Sequence, residues 1–160
     1  MNIATKIRKY YSGRIVVITP YKRQKYELIK GFNQSGCENV WVNTIDAFQG
    51  DEENVVIYCT TRANKPTKYF SDAARLNVAF SRSKNTLIFL GSSQYLRKYP
   101  KGHILRSISD YLSNTARIIQ YKEWADDGLN LQFVPIDEKP FDSKVALDFL
   151  PFHLSFFDQV

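Results

Sequence analysis

Two short stretches carry residue types that handle phosphate. The first, residues 42–57, reads VNTIDAFQGDEENVVI and sets the turn signal Gln49-Gly50-Asp51-Glu52 between two apolar β-branched runs. The second, residues 75–82, reads RLNVAFSR and carries arginines seven residues apart. Seven residues make about two helical turns, so Arg75 and Arg82 fall near one helix face, with Leu76, Val78, Ala79 and Phe80 as packing surface around them. A strand ending at Thr44 and followed by a glutamine-glycine turn delivers polar groups and free backbone N–H donors, which suit a phosphate.

The elements that must position these residues follow from apolar patterning. Residues 14–19, RIVVIT, form a continuous β-branched run ended by Pro20, the pattern of a strand buried on both faces of a parallel sheet. Residues 21–34 read as a helix with Tyr21, Leu28, Ile29 and Phe32 at helical spacing and Gly36 as its stop. Second and third strands are expected at 39–44 and 54–61, then a polar loop over 62–71 containing Pro66. Asp72 or Ser71 caps a helix over 73–83, and 85–91 is a fourth buried strand. This order predicts an α/β fold, a mainly parallel sheet with helices on both faces. Ligands of such sheets sit at the C-terminal strand ends, here near Pro20, Thr44 and the loop after Thr61. Further on, 103–114 reads as a helix and 117–121 as a short strand. The end, FLPFHLSFF, is too apolar to stand free in water and is expected to pack on this domain or another.

At 160 residues the chain suits one domain with a tail. Its 44% apolar and 24% charged residues argue against disordered and fibrous classes. No apolar run approaches the roughly 20 residues that span a bilayer, and the basic N-terminus lacks the apolar core of a secretory signal. The expected setting is the cytoplasm, or the nucleus in a eukaryote. Cys37 and Cys59 match no metal or redox spacing and are expected as reduced thiols, and His103 and His153 have no partner at metal-ligand spacing. Charge is uneven. Residues 1–35 hold Lys6, Arg8, Lys9, Arg14, Lys22, Arg23, Lys25 and Lys30 against Glu27 alone, while 123–160 carry eight acidic side chains against Lys139 and Lys144. A basic front half suits a polyphosphate partner, and a plain solvated surface accounts for the charge equally well.

Three blocks in this order resemble the second RecA-like domain of superfamily 1 helicases, in the family that includes the nonsense-mediated-decay helicase and its bacterial AAA-domain relatives. VVITPYKRQ at 16–24 resembles motif IV, VNTIDAFQGDE at 42–52 motif V, and RLNVAFSRSKNTLIFLG at 75–91 motif VI with its following strand. The resemblance covers residues 14–95 and implies a RecA-like domain of the P-loop-NTPase fold, bounded at 14–122, with an N-terminal extension at 1–13 and an acidic, Phe-rich extension at 123–160. It implies that Arg75 is the arginine finger that places positive charge on the γ-phosphate. Arg82 matches the second motif VI arginine, which either braces motif V or touches nucleotide. Gln49, Gly50 and Glu52 match the motif V positions lining the ATP cleft, with Glu53 as the local competitor of Glu52. Tyr21 and Gln24 match motif IV, and Lys25 stands where some relatives carry a further phosphate-binding arginine. Thr44 matches the threonine that bonds the nucleic-acid backbone, and Asp46 braces the loop. Arg62 and Asn64 also match the family pattern near the interdomain face.

No G-x-x-x-x-G-K-[ST] run occurs, and no apolar strand ends in Asp-Glu. The resemblance therefore implies half of an ATP-driven motor, inactive alone, whose ATP and Mg²⁺ are held by a P-loop and carboxylate on an N-terminal RecA-like partner domain. It also implies single-stranded DNA or RNA as a partner. Two readings from other classes stay open at this point. One is a non-motor module for single-stranded nucleic acid, drawn from the basic first 35 residues with Tyr10, Tyr11, Tyr21 and Tyr26. The other is a protein-interaction domain on a degenerate RecA scaffold, drawn from the Phe-rich end.

Overall fold

Ile15–Thr19 (β1) has all five residues buried, as a β-branched run covered on both sides must. The computed structural model describes residues 2–48, 51–60, 71–115, 117–120 and 153–158. In chain order the other elements are α1 (Asn2–Arg8), α2 (Lys22–Gln34), β2 (Val40–Thr44), β3 (Glu53–Cys59), α3 (Ala73–Phe80), β4 (Ser83–Gly91), α4 (Ser93–Arg97), α5 (Ile104–Thr115), β5 (Arg117–Gln120) and β6 (His153–Asp158). The strands form one sheet in the order β2-β1-β3-β4-β6-β5, and every pairing is parallel. This is the α/β architecture, RecA-like with helices on both faces, that the resemblance implies.

Period-two alternation divides the core between the two faces. Ile15, Val17, Val55, Ile57 and Ile88 face one way and bury Ile3, Ala4 and Ile7 of α1 with Phe32 of α2. Val16, Ile18, Val56, Tyr58, Leu87 and Phe89 face the other way, against Leu76, Ala79 and Phe80 of α3 and Leu105, Ile108 and Leu112 of α5. The faces follow from handedness. β1 connects through α2 to the sheet edge at β2, whereas β3 connects through α3 in the opposite direction, so right-handed crossovers put the two helices on opposite faces. β1 and β3 therefore flank the switch point, where ligands of doubly wound sheets bind.

Local chemistry sets the ends of the helices. Asp72 caps α3 by accepting from the Arg75 N–H at 3.1 Å. α2 closes in a Schellman motif: Gly36 has φ +62°, its N–H bonds Asn33 O, and the Cys37 N–H bonds Phe32 O. Three differences from the sequence reading are physical. α3 stops at Phe80 because Ser83 already pairs with Glu53 as β4 begins, ahead of a register shift between Glu53 and Val55. α4 is five residues long, too short for periodicity to register, and is set by Ser92 capping the Tyr95 N–H. The apolar end forms β6 between β4 and β5, a pairing made across a separation in sequence that local patterning does not encode. Among the described residues no helix is long and apolar enough to cross a membrane.

Candidate functional site

At the C-terminal end of the sheet, the first turn of α2 ties three strand ends together. The Thr19 hydroxyl at the end of β1 bonds the Gln24 side chain, whose Nε2 donates to Cys59 Sγ at the end of β3 at 3.4 Å. Lys25 Nζ donates to Asn43 Oδ1 of β2 at 2.8 Å. Asn43 is a hub, since the same Oδ1 accepts the Thr44 N–H and its Nδ2 donates to Ala47 O. Thr44 is buried, and its carbonyl takes the N–H groups of Ala47 and Phe48. A tight turn thus leaves β2 just where the sheet ends. Tyr21 stands at the N-cap of α2 with extended backbone and gives no side-chain cap.

Burial and hydrogen bonding set the chemistry of this end. Desolvation pushes the Cys59 thiol above its ordinary value, outweighing a lowering charge effect and the Gln24 hydrogen bond. Cys37 and Cys59 are both free thiols, as expected.

Arg75, in the first turn of α3, meets this end from the next element. Its Nε lies 3.4 Å from Asp46 Oδ1, two residues beyond Thr44. The two side chains are 35% and 57% exposed, so this is a surface pair within reach of an incoming anion. The structure thereby brings Tyr21, Gln24, Lys25, Thr44, Asp46 and Arg75 to the C-terminal end of the sheet.

Glu52 and Arg82 lie at the opposite end. The start of β3 lies at the opposite end of the sheet from the end of β2, because β2 and β3 both run parallel to β1. Ile45 and Phe48, just after β2, are buried in the core with Leu76, Ala79 and Phe80 of α3. Glu52 then lies 3.9 Å from Lys84 at the start of β4. Arg82 donates from Nε to Val78 O, and its carbonyl accepts the Glu53 N–H at 2.9 Å. Arg82 thus meets the segment after motif V through backbone, and Asn85 Nδ2 donates to Asn54 Oδ1 beside it at 3.2 Å. Glu53 forms an ion pair with Arg14, whose guanidinium also stacks over the Trp41 ring at 4.3 Å. Of the two adjacent acids, Glu52 is therefore the accessible one. Gln49, Gly50, Arg62 and Asn64 lie outside the described residues.

Sequence reasoning missed the Asn43 hub and the Thr19-Gln24-Cys59 bridge. The signal for the first was an asparagine one residue before a turn, a type that bonds nearby backbone. The second joins residues up to 40 positions apart and has no local signature.

A family model described as an AAA domain matches residues 1–94. The chain is 33% identical over 93 residues to Helicase sen1 of Schizosaccharomyces pombe, covering 54% of this chain and 6% of that protein. It is 34% identical over 108 residues to DNA replication ATP-dependent helicase/nuclease DNA2 of Bos taurus, covering 66% of this chain and 10% of the relative. To Regulator of nonsense transcripts 1 of Dictyostelium discoideum it is 34% identical over 96 residues, 55% of this chain and 7% of the relative. The aligned region thus spans a tenth or less of these relatives' length. With the family model matching more than half of the chain and relatives of one kind on every side, the chain belongs to the AAA-domain family, as a C-terminal RecA-like domain of superfamily 1 helicases.

Proposed function

We propose that this chain is the C-terminal half of an ATP-dependent superfamily 1 helicase or translocase. Arg75 is its arginine finger, Tyr21, Gln24 and Lys25 line its wall of the interdomain ATP cleft on the same side, with Gln49 and Gly50 assigned to that wall by the resemblance, and Thr44 grips a single strand of DNA or RNA. Glu52 and Arg82, which the resemblance also implies for the cleft, lie at the far end of the sheet and are left out of that wall. The observation that carries this reading is the Arg75–Asp46 pair, two residues from Thr44. An exposed ion pair is worth about 0–1 kcal/mol, so a γ-phosphate displaces Asp46 at little cost. Nucleotide contact and strand contact then share one turn, and a shift in one is felt by the other.

Among the described residues no cluster of three or more His, Cys, Asp or Glu is arranged to hold a metal. The reading assigns the metal carboxylate and the P-loop to an N-terminal RecA-like domain, which closes on this one when ATP binds and reopens after hydrolysis. Cytoplasm or nucleus is the matching location. The boundaries at 13 and 122 remain our assignment for the RecA-like unit.

The test is steady-state ATP turnover of the motor assembled from both RecA-like halves. Arg75→Ala is expected to lower kcat by about a thousandfold or more, with nucleotide-free strand binding unchanged. A rate within about twofold of the parent would remove the finger role.

A further inference from the structure

Of the basic residues in the first 35, Arg8, Arg14 and Lys25 are among those engaged within the fold. Arg8 donates to the carbonyls of Tyr11, Ser12 and Gly13, Arg14 pairs with Glu53, and Lys25 donates to Asn43. Lys22, Arg23 and Lys30 differ. All three are exposed on α2, and none forms an ion pair among the described residues. Tyr26, 66% exposed, lies four residues from each lysine and three from Arg23, so the four side chains share one face, opposite Phe32 in the core. Lys22 and Lys30 stand about 12 Å apart along the helix axis with the ring between them.

Helix stability does not account for this stripe. Lys22 and Arg23 lie in the first turn, where the helix dipole disfavours cations, and that turn has no acidic residue. Glu27 is the only acid on the helix. The stripe also meets the site already described, because Lys25 joins the same first turn to Asn43, the neighbour of Thr44.

We infer that the outward face of α2 binds single-stranded nucleic acid without regard to sequence, with Lys22, Arg23 and Lys30 on phosphates and Tyr26 stacked on a base. The choice of partner rests on the helicase reading and on the ring. A flat aromatic among cations matches a strand of alternating phosphates and π-faces, whereas an acidic peptide offers charge alone. A strand held at Thr44 would continue across the first turn of α2 and down its outer face.

Fluorescence anisotropy of the 160-residue chain with a labelled oligothymidylate, without ATP and across a salt series, tests the inference. The triple variant Lys22→Ala, Arg23→Ala, Lys30→Ala is expected to reduce the slope of log K against log salt by about 2, at roughly 0.7 per phosphate. Tyr26→Ala is expected to weaken binding at least about fivefold at every salt concentration while preserving the slope. All four positions are exposed, and a thermal melt by circular dichroism checks that each variant folds as the parent does. The inference is overturned if the parent fails to bind at low salt, or if the triple variant keeps the parental slope. It is equally overturned if Tyr26→Ala binds as the parent does while polyglutamate displaces the oligonucleotide, an outcome that assigns the face to an acidic protein. Intact binding by the α2 variants with loss in Thr44→Ala removes this inference and keeps the helicase reading, whereas parental ATP turnover in Arg75→Ala does the reverse.

Discussion

Glu52 and Glu53 are neighbours with opposite surroundings. The Glu53 side chain is 15% exposed and meets Arg14, while Glu52 is 53% exposed and sits 3.9 Å from Lys84. Removing the Glu53 charge leaves a guanidinium that is itself only partly solvated without its partner, whereas the Glu52 pair is weak and screened. Glu53→Gln is therefore expected to lower stability by about 1–2 kcal/mol and Glu52→Gln by less than about 0.5 kcal/mol, read from urea midpoints at constant m. Equal losses would mean that the two carboxylates share one environment. Cys59 gives a prediction of a different kind. Its folded pKa is raised above the ordinary 9.0, so the folded chain holds this proton where the unfolded chain gives it up. The resulting stability is complete below about pH 9 and falls as pH rises from there toward the folded value. Cys59→Ala is expected to flatten that alkaline fall relative to the parent, measured by urea denaturation between pH 8 and about 10.5. A parental slope in the variant would place the effect on another group.

At the scale of elements, legibility tracked the range of the interaction. β1 was legible because an unbroken β-branched run ended by Pro20 has few other ways to be buried. The stop of α2 was legible at Gly36, and the start of α3 at Asp72, because caps are made by residues within one turn. Arg75, Thr44 and Asp46 were legible as types, but nothing local says that Asp46 takes the guanidinium of α3 or that Glu52 comes back to the far end of the sheet. Those placements follow from strand order, a long-range property. α5 shows a local cap that was missed: His103 Nδ1 accepts the Leu105 N–H at 3.2 Å, and the imidazole stacks on Tyr99 with ring centroids 4.3 Å apart. Histidine is an uncommon N-cap, so the residue was read as a helical position and weighed as a metal ligand, not as a cap. His103→Ala is expected to cost about 1 kcal/mol, and His103→Asp, which keeps an acceptor and adds charge favourable to the dipole, less than half of that. Equal melting temperatures for the two variants would show that the stack matters and the cap does not.

For the whole molecule, the question is what the end of the chain does for the sheet. β6 pairs with β4 from Thr86 to Gly91 on one side and with β5 on the other, and among the described residues β5 has no other strand neighbour. In a parallel ladder successive residues bond alternately to the two neighbours, so an inner strand has every N–H engaged. A chain cut after residue 150 is thus expected to lose the ladder on β4 and the anchor of β5 together. Each backbone group left buried and unpaired costs about 1–3 kcal/mol, less where water reaches the new edge, so a net loss of at least about 2 kcal/mol is expected. For a chain of this size that corresponds to a fall in melting temperature of roughly 5 °C or more. Phe156→Pro removes one inner donor without shortening the chain, and should move stability in the same direction by a smaller amount. Hydrogen exchange separates this from a general loss of apolar mass. Amides of residues 86–91 that bond β6 should lose protection in the truncated chain, while those of β1, three strands from β6 in the sheet order, should exchange more slowly than they do. Unchanged protection along β4 would mean that the strand order ends at β4 and that the apolar terminus stabilises the protein by some other contact.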